Sequence, residues 1–217
     1  MTTNVMPEAS AVDYFLSFLP PQSGVLVFSG FVHALQEARS ITNRDSTTGQ
    51  KLPNTAGKHG SWLGAIGYFA LLDQVGKCFK PKSVPRANGN TIFQALKHFS
   101  SLPELEIDAL YALRCAFAHD YSLYNINIGK PNLTHNFLVS QGNSTQVVFL
   151  SKVQWNGDLQ NHHPDSKTSV NLEAFGDLVE SVVQRIAVCH QASDLEILLS
   201  GGSDELIRRY MFMTPVV

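Results

Sequence analysis

Residues 104–125 read ELEIDALYALRCAFAHDYSLYN, and this stretch decides the fold that we expect for the chain. Its apolar residues recur at the three-to-four spacing of an amphipathic helix. They are Leu105, Ala109, Ala112, Leu113, Ala116 and Phe117. Ser101 and Glu104 have the spacing of a capping box, which predicts that the helix starts here. The helical pattern stops at His119, and the character of the sequence changes after Tyr121.

Helical periodicity is also present on both sides of this segment. Before it, the pattern predicts helices at about residues 11–19, 24–41, 61–79 and 91–100. After it, we expect a helix from Asn171, as the N-cap, to about residue 191, and a helical turn or two after Ser203. Gly60, Gly64 and Gly67 lie along one side of the 61–79 helix, so a neighbouring helix is expected to approach closely there.

Strand and loop patterns separate the helices. Alternating apolar residues predict a β-hairpin over about residues 133–155, with Gly142 and Asn143 at its turn. Residues 42–60 are polar and contain almost nothing to bury, which predicts a long mobile loop. Residues 156–169 are expected to form a second polar loop. A parallel sheet is not expected, because strands and helices do not alternate.

Together these patterns predict a mainly α protein. We expect one domain over residues 1–217, built as a helical bundle of four or five main helices with one inserted β-hairpin. The composition, 44% hydrophobic and 16% charged, is that of an ordinary globular protein. A formal net charge of -2 excludes a basic protein that coats nucleic acid through bulk electrostatics.

Compartment signals point to the cytoplasm. Cys78, Cys115 and Cys189 lie far apart in apolar surroundings without a CxxC pair, which favours a reducing environment. The N-terminal residues MTTNVMPEAS show no signal-peptide pattern. The most apolar stretches fall short of the roughly 20 residues that a membrane-spanning helix needs, so no membrane association is expected.

LRCAFAHDY, residues 113–121, resembles the Arg-x(4–6)-His signature of HEPN domains. These are helical-bundle proteins that include many ribonucleases of toxin–antitoxin, phage-defence and RNA-processing systems. Arg185 and His190 have the same spacing, but they lie inside an uninterrupted helical pattern, whereas Arg114 and His119 lie at the end of one. Where the family often has Asn, Asp or His directly after the arginine, this chain has Cys115.

Helix geometry separates the two motif side chains. Five helical steps place Arg114 and His119 about 140° apart, too far for one copy to direct both at a single atom. Either the helix unwinds near Ala118, or two copies of the segment meet across a two-fold axis. HEPN enzymes are described as dimers of this second kind, so the resemblance implies a homodimer.

The resemblance implies a metal-independent RNA endonuclease of toxin or defence type, with a composite site and no cofactor. Arg114 would bind the phosphate and His119 would act as acid and base, because guanidinium pairs with phosphate oxygens and imidazole exchanges protons near neutral pH. Tyr111, Tyr121 and Tyr124 would contact the substrate, either by stacking on bases or by orienting the phosphate. The alternative is a non-catalytic module that binds a nucleotide or an antitoxin-like protein, and Cys115 favours it.

Structural explanations compete with these roles. A cation near a helix C-terminus is favourable without any function, and Arg114 could pair with Asp108, Asp120 or a loop carboxylate.

Two further groups of side chains have weaker patterns. His162, His163 and Asp165, with Asp158 nearby, could offer metal ligands, but adjacent histidines in a polar loop are more often exposed. The densest basic groups are more readily explained as solvated loop charge than as phosphate contacts. They are Lys58, His59, Lys80, Lys82 and Arg86.

Overall fold

Helices dominate the computed structural model, which describes residues 8–17, 25–53, 59–142, 144–160 and 163–215. Seven α-helices occur in these ranges. They are α1 (Glu8–Leu16), α2 (Gly30–Ile41), α3 (Trp62–Cys78), α4 (Thr91–Phe99), α5 (Glu104–Asp120), α6 (Leu172–Gln191) and α7 (Gly202–Tyr210). The prediction of a mainly α protein is confirmed.

Within the same ranges, short strands form three small sheets between the helices. In chain order they are β1 (Val25–Ser29), β2 (Phe79–Pro81), β3 (Tyr124–Asn125), β4 (His135–Ser140), β5 (Val148–Phe149), β6 (Lys167–Asn171), β7 (Leu195–Ile197) and β8 (Met211–Pro215). Strand β1 pairs with β8, β2 pairs with β7, and the remaining four strands form one sheet in the order β3-β4-β6-β5.

Helix α3 lies at the centre of the bundle, where it packs against α2, α4, α5 and α6. Its side chains Tyr68, Phe69, Leu72 and Val75 are almost completely buried. The apolar stripe predicted for α5 is buried too, with one exception: Leu105 is 60% exposed in the first turn. The helices therefore share one core, centred on α3.

Two glycines of α3 confirm the predicted close helix packing. A Cβ atom at Gly64 would overlap the methyl group of Thr42, which follows α2 directly. A Cβ atom at Gly67 would lie 3.2 Å from the Cβ atom of Ala38 in α2. Glycine thus allows α2 and α3 to approach closely, and this contact outweighs the cost of glycine in a helix.

Helix ends differ in how well the sequence predicts them. Asn171 is the N-cap of α6, as predicted, and its side chain accepts hydrogen bonds from the backbone N–H groups of Glu173 and Ala174. Helix α5 begins at Glu104, as predicted, but its N-cap is Pro103 and no capping box forms. The helix is stable without the box because its apolar face is buried in the core.

The predicted helix at 24–41 is wrong in its first turns. Residues Val25–Ser29 form strand β1, and α2 begins at Gly30 with Ser29 as its N-cap. Gly24 lies outside the described residues. The apolar run VLVFS suits a strand and a helix equally, and the pairing with β8 at the far end of the chain decides between them.

The predicted hairpin at 133–155 is also wrong. Strands β4 and β5 both pair with β6 and not with each other, since β6 lies between them. The β4–β6 pair is parallel, against the expectation that no parallel pairing would occur. Strand β6 begins within the end of the predicted polar loop. Its sequence, KTSVN, has too few apolar residues to predict a strand. Asn143, of the predicted turn, lies outside the described residues.

The predicted loop at 42–60 is packed against the bundle in the residues that the structure describes there, 42–53 and 59–60. Arg44 and His59 are each only 4% exposed. Arg44 and Lys51 form an antiparallel β-bridge, and we call residues 44–51 the clasp. Arg44 and Lys51 both bind the carboxylate of Asp177 at 2.8 Å, which fastens the clasp to α6.

None of the helices in the described ranges combines the length and the apolar character needed to cross a membrane.

Candidate functional site

Helix α5 carries both motif residues without interruption. It runs from Glu104 to Asp120 and ends at Tyr121, whose backbone is left-handed with φ 48° and ψ 44°. The helix does not unwind near Ala118, so the first of the two predicted arrangements is excluded. Within one copy, Arg114 and His119 therefore lie on different faces of a regular helix.

Asp73 of α3 holds Arg114 in position. The guanidinium Nη2 atom of Arg114 donates a hydrogen bond to the carboxylate of Asp73 at 3.1 Å. The other carboxylate oxygen of Asp73 accepts a hydrogen bond from the hydroxyl group of Thr91. Asp108 and Asp120, the partners considered from the sequence, do not form this pair. Asp73 was missed because it lies 41 residues away on another helix.

The Arg114–Asp73 pair is only partly buried. The two side chains are 31% and 29% exposed, respectively. Within the described residues, Arg114 makes no hydrogen bond other than the one to Asp73, which leaves its Nε and Nη1 atoms as free donors. Arg114 also lines a small cavity of about 90 Å³ between α3 and α5, together with Ile66, Ala70 and Ala118. We call this region the α3–α5 groove.

An aromatic cluster stands at one end of the groove. Trp62, the first residue of α3, stacks on Phe117 with a ring separation of 4.8 Å. The ring of Tyr121 lies 5.2 Å from that of Trp62, and Tyr121 is 52% exposed. Left-handed backbone at a tyrosine is uncommon and costs about 1–3 kcal/mol, so packing on Trp62 stabilises this conformation. Sequence reasoning missed Trp62, although its aromatic character at the start of an apolar helix was a signal.

The predicted substrate tyrosines have different surroundings. Tyr111 is partly buried, and burial raises its pKa, as does its hydrogen bond with the thiol of Cys115. The charges of Arg114 and Asp73 also act on Tyr111, so its phenol lies near that pair. Tyr124 is 39% exposed and packs on Trp155, with 5.6 Å between the rings, in the sheet that contains β3. Tyr111 and Tyr121 thus lie beside the groove without lining it, while Tyr124 belongs to the sheet.

His119 is exposed near the end of α5 and has no hydrogen bond or ion pair with any other described residue. Arg185 and His190, the second pair with the motif spacing, are arranged differently. His190 lies 2.7 Å from the carboxylate of Asp13 in α1, which ties the end of α6 to the N-terminal helix. Of the two histidines, only His119 is therefore available to a ligand.

The histidine-rich turn does not assemble a metal site in the part of the chain that the structure describes. The Nδ1 atom of His163 accepts a hydrogen bond from the backbone N–H of Asp165, and Asp165 pairs with Lys152 at 3.3 Å. No group of three metal-ligating side chains occurs among the described residues. His162 lies outside them.

The basic groups of the sequence are only partly solvated. Lys80 is 9% exposed and forms an ion pair of 2.5 Å with Glu196, and His59 is buried. Lys82 and Arg86 are exposed, as expected for solvated loop charge, and Lys58 lies outside the described residues.

Comparison with protein-family models, with curated proteins and with solved structures gives no match to this chain. The HEPN resemblance therefore stays a prediction that rests on Arg114, His119 and their position at the end of α5.

Proposed function

We propose that this chain is a cytoplasmic, HEPN-like helical-bundle protein that cleaves RNA without a metal ion at a site shared by two copies. The observation that carries the proposal is the placement of Arg114 and His119 on one continuous helix. Arg114 is held by Asp73 and keeps free donors, and His119 is exposed without a partner among the residues that the structure describes. In this proposal the helical bundle is the HEPN-like part of the chain, and the four-stranded sheet is an addition to that bundle.

A second copy supplies what one copy lacks. Arg114 and His119 of one α5 helix face different directions, so a two-fold axis beside the helix brings the arginine of one copy towards the histidine of the other. The surface around the groove supports such a contact because it is apolar and exposed. Tyr121 is 52% exposed, and the small residues Ala70 and Ala118 that line the groove are exposed too.

The chemistry follows from the two side-chain types. The imidazole of one His119 accepts the proton of the ribose 2′-hydroxyl as its oxygen attacks the phosphorus atom. The 5′-oxygen leaves and takes a proton from water, and the histidine returns its proton to the solvent, while Arg114 of the other copy binds the non-bridging oxygens. The products are a 2′,3′-cyclic phosphate and a 5′-hydroxyl. Trp62 and Tyr121 provide surfaces on which bases can stack.

The test is cleavage of single-stranded RNA in EDTA by the wild type and by His119→Ala. We expect a loss of at least about 100-fold in the variant, the lower end of what a general acid or base contributes. His33→Ala is the matched control, because His33 is also exposed on a helix and lies outside the groove. Equal activity in wild type and His119→Ala, or no cleavage by the wild type, would refute the enzyme proposal.

A mixing experiment tests the shared site. Arg114→Ala and His119→Ala are each inactive alone if each site takes its arginine from one copy and its histidine from the other. In a mixed dimer, one of the two sites then contains both intact side chains, and cleavage returns. If the site lies within one copy, mixing the two variants restores nothing.

A second candidate is a non-catalytic module that binds a nucleotide or an antitoxin-like protein in the same groove. The Arg114–Asp73 pair bears on both candidates, because any incoming phosphate competes with a carboxylate that already partly neutralises the guanidinium. Cys115 favours the non-catalytic module, since its thiol bonds to Tyr111 where the family often has a more polar side chain. Saturable nucleotide binding without turnover, lost in Arg114→Ala, would select this candidate over the enzyme.

A further inference from the structure

A second cavity, separate from the α3–α5 groove, lies between the end of α4 and the outer face of α6. Its volume is about 450 Å³. Its polar lining comes from His98, Ser101, Ser181 and Arg185, together with Ser100, over two apolar side chains. None of the described residues that line this cavity is a carboxylate. We call it the α4–α6 cavity.

Arg185 is the cation of the α4–α6 cavity. It has no ion pair or hydrogen bond with another described residue, in contrast to Arg39 and Arg44, which bind carboxylates. It is exposed on α6, one turn before Cys189. His190, which completes the motif spacing with Arg185, is bound to Asp13 and takes no part in the cavity. The guanidinium of Arg185 is thus an uncompensated charge with free donors.

His98 contributes a further donor, because its hydrogen bonding fixes the tautomer of the neutral ring. The backbone N–H of Ala87 donates to His98 Nε2 at 3.2 Å, so Nε2 is the acceptor and the proton lies on Nδ1. Burial lowers the pKa of His98, and the charges of Lys80 and Arg86 lower it further, which keeps the ring neutral at pH 7. No described residue accepts a hydrogen bond from Nδ1.

The charges next to the cavity are positive on balance. Lys80 is neutralised by Glu196, and Lys97 is neutralised by Glu104 at 2.7 Å. Arg86 instead donates to the uncharged side chain of Gln94 at 3.2 Å and has no carboxylate partner among the described residues. Arg86 and Arg185 therefore leave an excess of positive charge around His98.

We propose that the α4–α6 cavity binds the phosphate group of a small phosphate ester. Arg185 supplies the charge and a planar pair of donors, and His98 and the hydroxyl of Ser101 supply neutral donors around it. The hydroxyls of Ser100 and Ser181 already donate to the carbonyls of Leu96 and Leu178, so they can only accept. A cavity of this size falls within the range of small-molecule sites and holds more than a phosphate ion, which leaves room for a sugar or a nucleoside. This inference is independent of the activity proposed for Arg114 and His119.

Calorimetric titration of the full-length chain tests the proposal. The probes are adenosine 5′-monophosphate, ribose 5-phosphate, inorganic phosphate and, as the uncharged control, adenosine. The titrations use the Arg114→Ala background, so that nucleotide binding in the α3–α5 groove cannot produce the signal. We expect saturable binding of both esters, weaker binding of inorganic phosphate and none of adenosine. Equal binding of adenosine and its monophosphate, or no binding of either ester, would overturn the proposal.

Variants locate the binding. Arg185→Gln is expected to weaken ester binding at least tenfold, whereas Arg208→Gln, an exposed arginine on α7, leaves it unchanged. Ser181→Phe fills the cavity without removing a charge and is expected to abolish binding, which gives a second test should Arg185→Gln fail to fold. Equal affinity in Arg185→Gln and Arg208→Gln, or undiminished binding by folded Ser181→Phe, would reject the cavity as the site.

Discussion

Two arginine–carboxylate pairs in this protein have different surroundings and different consequences. Arg39 donates to both carboxylate oxygens of Glu180, at 2.9 and 2.7 Å, and to the backbone carbonyls of Ser46 and Thr47 in the clasp. Arg114 makes a single contact of 3.1 Å with Asp73. An arginine with four of its five donors used by the protein stabilises the fold, and an arginine with most of its donors free can bind a ligand.

Burial strengthens this contrast. The side chains of Arg39 and Glu180 are 11% and 16% exposed, against 31% and 29% for Arg114 and Asp73. Glu180 also accepts a hydrogen bond from Tyr68 of α3 at 3.2 Å, and burial raises the pKa of Tyr68 to about 12. The Arg39 pair therefore reaches the core, and losing one of its members leaves a charge without compensation.

The largest effect is expected for Glu180→Ala. The substitution leaves Arg39 buried without its carboxylate and is expected to lower the free energy of unfolding by about 3–5 kcal/mol. Chemical denaturation of the two proteins measures the difference. If the free energy of unfolding falls by less than about 1 kcal/mol, the Arg39–Glu180 pair is as weak as an ordinary surface ion pair, and the contrast with Arg114 disappears.

The packing beneath the clasp is tested by Gly64→Ala. The new methyl group would overlap that of Thr42, whose hydroxyl is fixed by hydrogen bonds to Ala38 and Tyr68. We expect a destabilisation of about 1–3 kcal/mol from overpacking, measured by thermal or chemical unfolding. Gly129→Ala is the control, since the nearest atom to its new Cβ lies 3.8 Å away. Similar losses in both variants would show that the α2–α3 contact is not the cause.

The buried histidine His135 belongs to the side chains that the fold uses, and its titration makes the stability of the protein depend on pH. His135 bonds to Thr168 at 3.0 Å and to the carbonyl of Asn132 at 2.9 Å, and burial lowers its pKa. The unfolded chain then binds a proton more readily than the folded one. The free energy of unfolding should fall as the pH drops below the ordinary histidine value of about 6.5, and the fall should end below the folded pKa.

Denaturation curves at a series of pH values check this expectation. His135→Gln should reduce the dependence between pH 7 and pH 5, because it removes one of two histidines whose pKa is lowered on folding, and His98 remains. A profile for His135→Gln as steep as that of the wild type would contradict the assignment.

Arg114→Ala is expected to have little effect on the free energy of unfolding and a large effect on RNA cleavage. Removing a partly exposed pair costs about 0–1 kcal/mol, well below the loss expected for Glu180→Ala. Under the proposed function, RNA cleavage in EDTA is lost in the same variant. A destabilisation as large as that of Glu180→Ala would assign Arg114 a structural role and weaken the case for a ligand site.

The smallest change in stability is expected for His119→Ala. The side chain is exposed and lacks a hydrogen-bond partner among the described residues, so its removal should change the unfolding free energy by no more than about 0.5 kcal/mol. Chemical denaturation measures this value in parallel with the cleavage assay. A larger loss would show that His119 stabilises the end of α5.

Local patterns in the sequence predicted most of the helices and half of the candidate site. The three-to-four periodicity gave α3, α4, α5 and α6 to within about two residues, the usual uncertainty of helix ends. The same pattern placed Arg114 and His119 at the end of α5. Asp73 and Trp62 were not found, because they belong to α3 and reach the groove only through the packing of α3 on α5.

The sequence by itself determined where the helices lie, since helix formation depends on neighbours three and four residues apart and on caps such as Asn171. Only the tertiary structure decided the contacts between distant segments: β1 with β8, β6 between β4 and β5, and the clasp with α6. These contacts leave no periodic signal, because each partner is selected by shape and charge after the chain has folded back. They determine which arginines are used by the fold and which remain available to a ligand.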